Sequence, residues 1–227
     1  MVAGAESAQP VDRSLFTDLH ALIAAGDRRF QLLSTVHDAA EPLAQLEAMT
    51  HTSMWNMQRH ASLSGLSDGE GLTERSRRRG VELRYILPRR VAEQRCPLAS
   101  SHWPHLRLAP VPHPLMVVDG TRVLVGDSTG ETLWTTSDPS LVARAARYYD
   151  RVWQAAPPAV PEGEEPPFTP RMVQVGIRLV DGSTDREIAR ALGVSERTVS
   201  SDVREMSQRL GERSRTHAIA LIAGING

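Results

Sequence analysis

The chain has 227 residues, 26 basic against 27 acidic, and a formal net charge of −1. That length allows one large domain or two small ones that each bury a core, and the balanced charge sets up no basic field over the whole molecule. All of the basic residues are arginine. The missing lysine excludes a phosphate-binding P-loop and Schiff-base catalysis, and argues against a phospho-receiver domain.

The lone cysteine, Cys96, has no internal disulfide partner, which fits a reducing cytoplasm. The opening MVAGAESAQPVDRS lacks the apolar core of a signal peptide, and no apolar run approaches a membrane span. The expectation is a soluble cytoplasmic protein with no membrane partner. Charge is uneven along the chain: from Phe168 onward nine arginines face seven acidic residues, while residues 1–161 balance at 17 of each. The basic surplus sits at the C-terminal end, where a phosphate-contacting module would need it.

Residues 1–11 read as a disordered tail. Residues 12–51 read as helical, with Leu15, Leu19, Leu22 and Ile23, then Leu43, Leu46 and Met49, at helical spacing, interrupted at Gly26 and Pro42. SMWNMQR is a short strand, LTERSRRRG a basic helix closed by Gly80, and VELRYILP a strand stopped by Pro88. HLRLAPV is a further strand. PLMVVDGTRVLVGD reads as a hairpin turning on Asp119-Gly120, a pair suited to the positive φ angles of a two-residue type I′ turn. TLWTT follows as a strand. A helix then begins at Asp138 as N-cap with Pro139 in its first position. Residues 12–154 are therefore expected to form an α/β (α+β) domain with a mixed, mostly antiparallel sheet. AAPPAVPEGEEPP, residues 155–167, is a Pro/Glu-rich linker.

Residues 168–227 should form an all-α domain of four helices. Thr169 caps the first, Thr184 with Glu187 makes a capping box on the second, Ser195 caps the third, and the fourth begins at Ser214. Gly193 supplies a tight turn between the second and third, and together these two make a helix-turn-helix.

The string TPR…DGSTDREIARALGVSERTVSSDV…RLGERSRTHA resembles the LuxR/FixJ-type DNA-binding domain of bacterial regulators over about 55 residues. The resemblance implies that the helix from Ser195 enters the major groove of double-stranded DNA. Ser200, Ser201 and Arg204 would then face base edges, while Thr184, Ser195, Arg197 and Thr198 lie near phosphates. It also implies a homodimer through the last helix, with Thr216, Ile219 and Ala220 at the contact. Some positions depart from the family pattern. Met172 stands for Glu, Gly176 and Arg178 for Leu, Ser200 for Lys and Asp202 for His, which predicts a weaker first helix and fewer cationic contacts.

Such a domain usually has a governor upstream. The strings LEAMTHTSMWNMQRH, RSRRRGVELRYILP, HPLMVVDGTRVLVGDS and LVARAARYYDRVWQAA are similar to the phospholipase-D-like sensor domain of TrmB-type regulators. Active phosphodiesterases of that fold use a His-x-Lys pair with a downstream Asp. Here His113 is followed two residues later by Leu115, with Asp119 beyond, so the main phosphate cation is missing. The resemblance thus implies no catalytic residue, but a pocket retained for a small-molecule effector, with Arg84, Arg89, His113 and Asp119 as candidates and a partner protein as another possible effector. Arg77, Arg78, Arg79 and Arg90 could extend an anion site, though such a run is more often a solvated helix face. Cys96, His102, His105 and His113 have no regular metal-ligand spacing, so no metal or cofactor is expected. The contrasting readings are a DNA-tethered phosphodiesterase and a first domain that only oligomerises.

Overall fold

The computed structural model describes residues 13–35, 38–59, 72–94, 100, 102, 104–127, 129, 131–212 and 214–223. The expected N-terminal tail and Cys96 lie outside these. In chain order the first region runs α1 (Arg13–Ala24), β1 (Gln31–Thr35), α2 (Ala40–Ala48), β2 (Ser53–Met57), α3 (Leu72–Arg78), β3 (Glu82–Leu87) and α4 (Arg89–Gln94). It continues through β4 (Leu106–Leu108), β5 (Leu115–Val118), β6 (Arg122–Gly126), β7 (Thr132–Thr136) and α5 (Pro139–Ala155). The strands form one sheet in the order β1-β7-β6-β5-β2-β3-β4. The β2–β3 and β3–β4 pairs are parallel and the rest antiparallel, giving the mixed sheet the sequence predicts.

The helical reading of residues 12–51 needs one correction, because β1 separates two helices. Gly26 takes φ +68°, ending α1, and the Phe30 N–H closes a turn onto the Asp27 carbonyl. The next five residues pair with β7 only, at the sheet edge, with a register shift between Leu32 and Ser34. An edge strand buries neither face fully, so QLLST lacks the alternation that marks a half-buried strand. Pro42, expected as an interruption, sits in the first turn of α2, where its missing N–H leaves no helical bond unmade.

The β5–β6 turn has the predicted positive angles, φ +52° at Asp119 and +63° at Gly120, and the Thr121 N–H bonds the Val118 carbonyl at 3.0 Å. Val118 is registered with Arg122, so the loop holds three residues instead of two. Asp119 explains why a non-glycine residue tolerates this conformation. Its carboxylate accepts from the backbone N–H groups of His51, Thr52 and Ser53 and from the Thr52 hydroxyl, at 2.8–3.0 Å for its shortest bond to each.

One sheet face packs Met57, Ile86, Leu115, Val117, Val123 and Val125 against α1 and α5. On the other, Val118 and Leu124 meet Leu46 of α2. Met54, Leu83, Tyr85, Leu87, Leu106 and Leu108 on that second face belong to a cluster that continues into the C-terminal helices. Leaving α5, the chain follows the sheet edge. The Leu108 N–H donates to the Pro157 carbonyl and the Ala159 N–H to the Leu106 carbonyl, both at 2.9 Å. The Arg107 guanidinium donates to the Trp153 carbonyl at 2.7 Å and lies 4.6 Å above the Trp153 ring. The start of the Pro/Glu stretch therefore covers the β4 edge, which would otherwise expose unpaired backbone groups.

Four helices follow: α6 (Pro170–Val180), α7 (Asp185–Leu192), α8 (Glu196–Arg209) and α9 (Arg215–Ala223). Their core holds Met172, Val175, Ile177, Ile188, Val199, Met206 and Ile222. Gly176 is part of that packing: a Cβ there would meet Ile222 at 3.4 Å and Met206 Sδ at 3.7 Å.

Candidate nucleic-acid interface

Local chemistry sets both helices of the α7–α8 pair. Thr184 accepts from the Glu187 N–H, and the Glu187 carboxylate accepts from the Thr184 N–H at 2.8 Å, completing the capping box. Gly193 ends α7 at φ +66°, the left-handed region in which glycine pays no steric penalty. Ser195 then caps α8 by accepting from the Thr198 N–H at 3.1 Å. Ile188 and Val199, both fully buried, lock the two helices together.

The core side of α8 is Val199, Val203 and Met206, joined by Asp202, which is only 3% exposed. Arg171 of α6 grips the Asp202 carboxylate with two bonds, Nε at 2.7 Å and a terminal nitrogen at 3.0 Å. Asp202 thus faces inward and ties α6 to α8. The expectation that it removes a cation from the DNA-facing side is corrected by this geometry.

The opposite side of α8 presents Arg197, Ser200, Ser201 and Arg204, all exposed, at the i, i+3, i+4 and i+7 spacing of one helix face. Thr184 and Ser195 are exposed at the two helix N-termini, and Thr198 is half-buried beside Ser195. All seven residues expected at a DNA contact therefore lie at the α7 N-terminus or between the α8 N-cap and Arg204, on the first nine residues of that helix.

Two residues outside the expected set join this surface. The Ser200 hydroxyl donates to Asp185 Oδ2 at 2.9 Å, and Arg215, the first residue of α9, donates to Asp185 Oδ1 at 2.6 Å. The bond from Arg215, reinforced by that from Ser200 against partial burial, holds the Asp185 carboxyl below the usual carboxylate range. The only sequence signal for this contact is that Asp185 follows the helix cap. On α9, Ala218 and Ile222 point into the core, Thr216 is exposed, and Ile219 and Ala220 are half-buried.

The four residues proposed for an effector pocket are not brought together. Arg84 lies between two indoles, 4.4 Å from the Trp55 ring centre and 5.5 Å from that of Trp153, and pairs with Glu82 and Asp150. Arg89 is exposed at the start of α4. His113 precedes β5, in edge contact with His20 at 4.4 Å and tilted against Phe16 at 5.1 Å, and burial with the neighbouring His20 and Arg59 lowers its pKa. Asp119 lies at the far end of β5, occupied with the β2 backbone. An open groove of about 640 Å³ is lined by Trp55, Arg144, Ala146, Arg147, Asp150 and Arg151, and Arg84 contacts two of these residues, Trp55 and Asp150.

The basic run of α3 is partly structural. Glu47, 3% exposed, accepts from the Ser76 hydroxyl at 2.8 Å, Arg75 at 3.2 Å and Arg79 at 2.7 Å. Burial pushes this carboxyl up, but the three bonds outweigh it and hold the group below its ordinary value. His102 stacks on Tyr85 at 4.0 Å, and burial pushes its pKa down to about 4, so it is neutral near pH 7.

Residues 166–222 match the family model of bacterial regulatory proteins, luxR family. The helical module is thus a LuxR-type helix-turn-helix domain. No curated protein matches the chain. Among solved structures, TrmBL2, an archaeal chromatin protein whose structure shows a novel mode of DNA binding, is similar over 64% of this chain, at 12% identity and a TM-score of 0.44; the chain spans 61% of that protein. Nuc from Salmonella typhimurium, a phospholipase D family member, is similar over 57% of this chain and 96% of its own, at 15% identity and a TM-score of 0.45. NucT from Helicobacter pylori is similar over 57% and 98%, at 12% identity and a TM-score of 0.43. No helix among the described residues is long and apolar enough to cross a membrane.

Proposed function

We propose that this chain, whose residues 166–222 form a LuxR-type domain, is a sequence-specific DNA-binding transcription regulator of the cytoplasm. The observation that carries the reading is the pair of capped helices α7 and α8, with Arg197, Ser200, Ser201 and Arg204 exposed on one face of the second. In a helix-turn-helix the second helix enters the major groove and its N-terminal residues reach base edges. Arg204 is a donor-only fork suited to the O6 and N7 acceptors of guanine. The N-termini of α7 and α8, with Thr184, Ser195, Arg197 and Thr198, suit phosphates. The regulator acts as a homodimer through α9, with the exposed Thr216 and the half-buried Ile219 and Ala220 at the contact, so that two half-sites are read together.

The first domain acts as a non-catalytic sensor or interaction domain for a small molecule or a partner protein. Two features support its being non-catalytic. Leu115, where a phosphodiesterase would place lysine, is 1% exposed in the core, and Asp119 is consumed by backbone bonds. The test is selection from random duplex DNA, followed by fluorescence anisotropy of the full chain across a salt series. The expected result is a palindromic site, and Arg204→Ala should weaken specific binding by about 1–3 kcal/mol while relaxing preference at one position. Failure to select any sequence would sink the proposal.

A further inference from the structure

We infer that Asp185 fixes the hydrogen-bonding polarity of Ser200, so that α8 presents an acceptor at this position and reads an exocyclic amino group in the major groove. The inference rests on the DNA-binding reading above and specifies part of what that surface recognises.

A serine hydroxyl has one proton and two lone pairs, and its rotor normally lets it serve as donor or acceptor. Here the rotor has a fixed task. The Asp185 carboxylate is an acceptor only when ionised, and the Arg215 guanidinium 2.6 Å from its other oxygen keeps it so. The proton in the 2.9 Å contact between Ser200 and Asp185 therefore comes from the serine. What remains on the exposed side of Ser200 is lone pairs. In the major groove only adenine N6 and cytosine N4 offer protons to such a group; guanine shows two acceptors there, and thymine an acceptor and a methyl. A serine free to rotate would accept either class of edge, whereas this one rejects carbonyl edges because two acceptors would face each other.

Arg204, four residues further along the same face, has the opposite character, with donors and no acceptor. The two side chains therefore demand different bases, an amino-bearing one and a guanine, from one turn of helix. Arg215 has a second role in this arrangement. A bare carboxylate beside the groove would repel phosphates, and the guanidinium cancels its charge. Asp185 is thus a positioning residue that acts through Ser200, not itself a base contact.

The test uses the full chain in parallel DNA selections with wild type, Ser200→Ala and Asp185→Ala. The wild type is expected to select adenine or cytosine over guanine or thymine at one position by about five-fold, the worth of one hydrogen bond. Ser200→Ala, a substitution at an exposed helix position, should abolish that preference and leave the guanine read by Arg204 intact. Asp185→Ala should keep binding but let carbonyl edges compete to within about two-fold. A second measurement guards against a folding defect in the Asp185 variant. Replacing the selected base by its analogue without the amino group should weaken wild-type binding about five-fold and leave Ser200→Ala binding unchanged. The inference is overturned if the position relaxed by Ser200→Ala prefers guanine or thymine in wild type, if Ser200→Ala changes no position, or if Asp185→Ala keeps the wild-type profile. A wild-type chain that selects no sequence at all overturns the DNA-binding reading instead, and this inference falls with it.

Discussion

Gly176 shows what local propensity leaves out at a single position, the size of side chain that its surroundings admit. Within a helix, glycine costs about 0.5–1 kcal/mol relative to alanine, so the sequence marks α6 as weak there. The structure places the flexible ends of Ile222 and Met206 where a side chain would begin, at 3.4 and 3.7 Å. One methyl fits at ordinary contact distance, whereas leucine does not. Gly176→Ala should therefore raise stability by about 0.5–1 kcal/mol, and Gly176→Leu should lower it by about 1–3 kcal/mol through overpacking. Thermal melts of both variants check the pair, and a stabilised leucine variant would refute the packing argument. Glu47 is the reverse case, an unremarkable letter in LEAMT that turns out to be a buried anchor for Arg75, Ser76 and Arg79. Its carboxyl lies below the usual 4.5 in the folded state, so its contribution is complete above that pH and disappears as pH falls through the folded value. Glu47→Gln should cost about 2 kcal/mol at pH 7, less than the cost of breaking a fully buried pair because the arginines are 30% and 39% exposed. Urea unfolding of wild type and variant should keep its difference down to pH 4.5 and converge only as pH falls through the lower folded value; parallel curves at every pH would show that the ion network is not the cause.

Elements whose limits are set by neighbours in the chain were legible. Asp138 accepts from the Ser140 and Leu141 N–H groups, Thr169 from Met172, and Ser195 from Thr198, all within three residues. The helix-turn-helix was readable for the same reason, since its caps, its turn glycine and its apolar spacing all lie in about 27 residues. Elements set by distant partners were not. β1 exists because β7 pairs with it about a hundred residues later. The six-residue α4 carries neither an acidic first turn nor a basic last turn to announce it. Among the candidate effector residues, the separation of His113 from Asp119 by β5 follows from the hairpin the sequence shows, whereas the seating of Arg84 against Trp55 and Trp153 depends on distant elements. A capping test belongs at this scale. Thr184→Ala removes the acceptor for the Glu187 N–H and the hydroxyl bond to the Glu187 carboxylate, leaves the backbone N–H of residue 184 to that carboxylate, and should cost about 1 kcal/mol. Because the lost bonds lie at the start of α7, amide exchange should accelerate there first, with the sheet unaffected. Equal acceleration in the β5–β6 hairpin would mean that the cap is not acting locally.

At the scale of the molecule, composition marks a boundary at the Pro/Glu stretch but does not say how closely the two parts are joined. Proline and like charge suggest a spacer, whereas residues 157–159 lie against β4 and one apolar cluster runs from the sheet into the helical module. No sequence rule announces that docking, because the bonds at Leu106 and Leu108 use backbone groups that every residue but proline possesses. If the cluster couples the parts energetically, the full chain should unfold in a single transition whose calorimetric and van't Hoff enthalpies agree. The attachment can be cut at one point. Ala159→Pro removes the N–H that bonds the Leu106 carbonyl and constrains the backbone beside the strand edge, while deleting no side chain from the core. The variant should therefore separate one transition into two, with the helical module melting at a temperature no longer shared with the sheet. Two transitions already present in wild type would show that the parts are independent. A domain that senses an effector could then act on the DNA-binding helices only by setting their spacing. A single transition that splits in the variant would instead make the β4 edge the mechanical link through which a change in the first domain reaches α7 and α8.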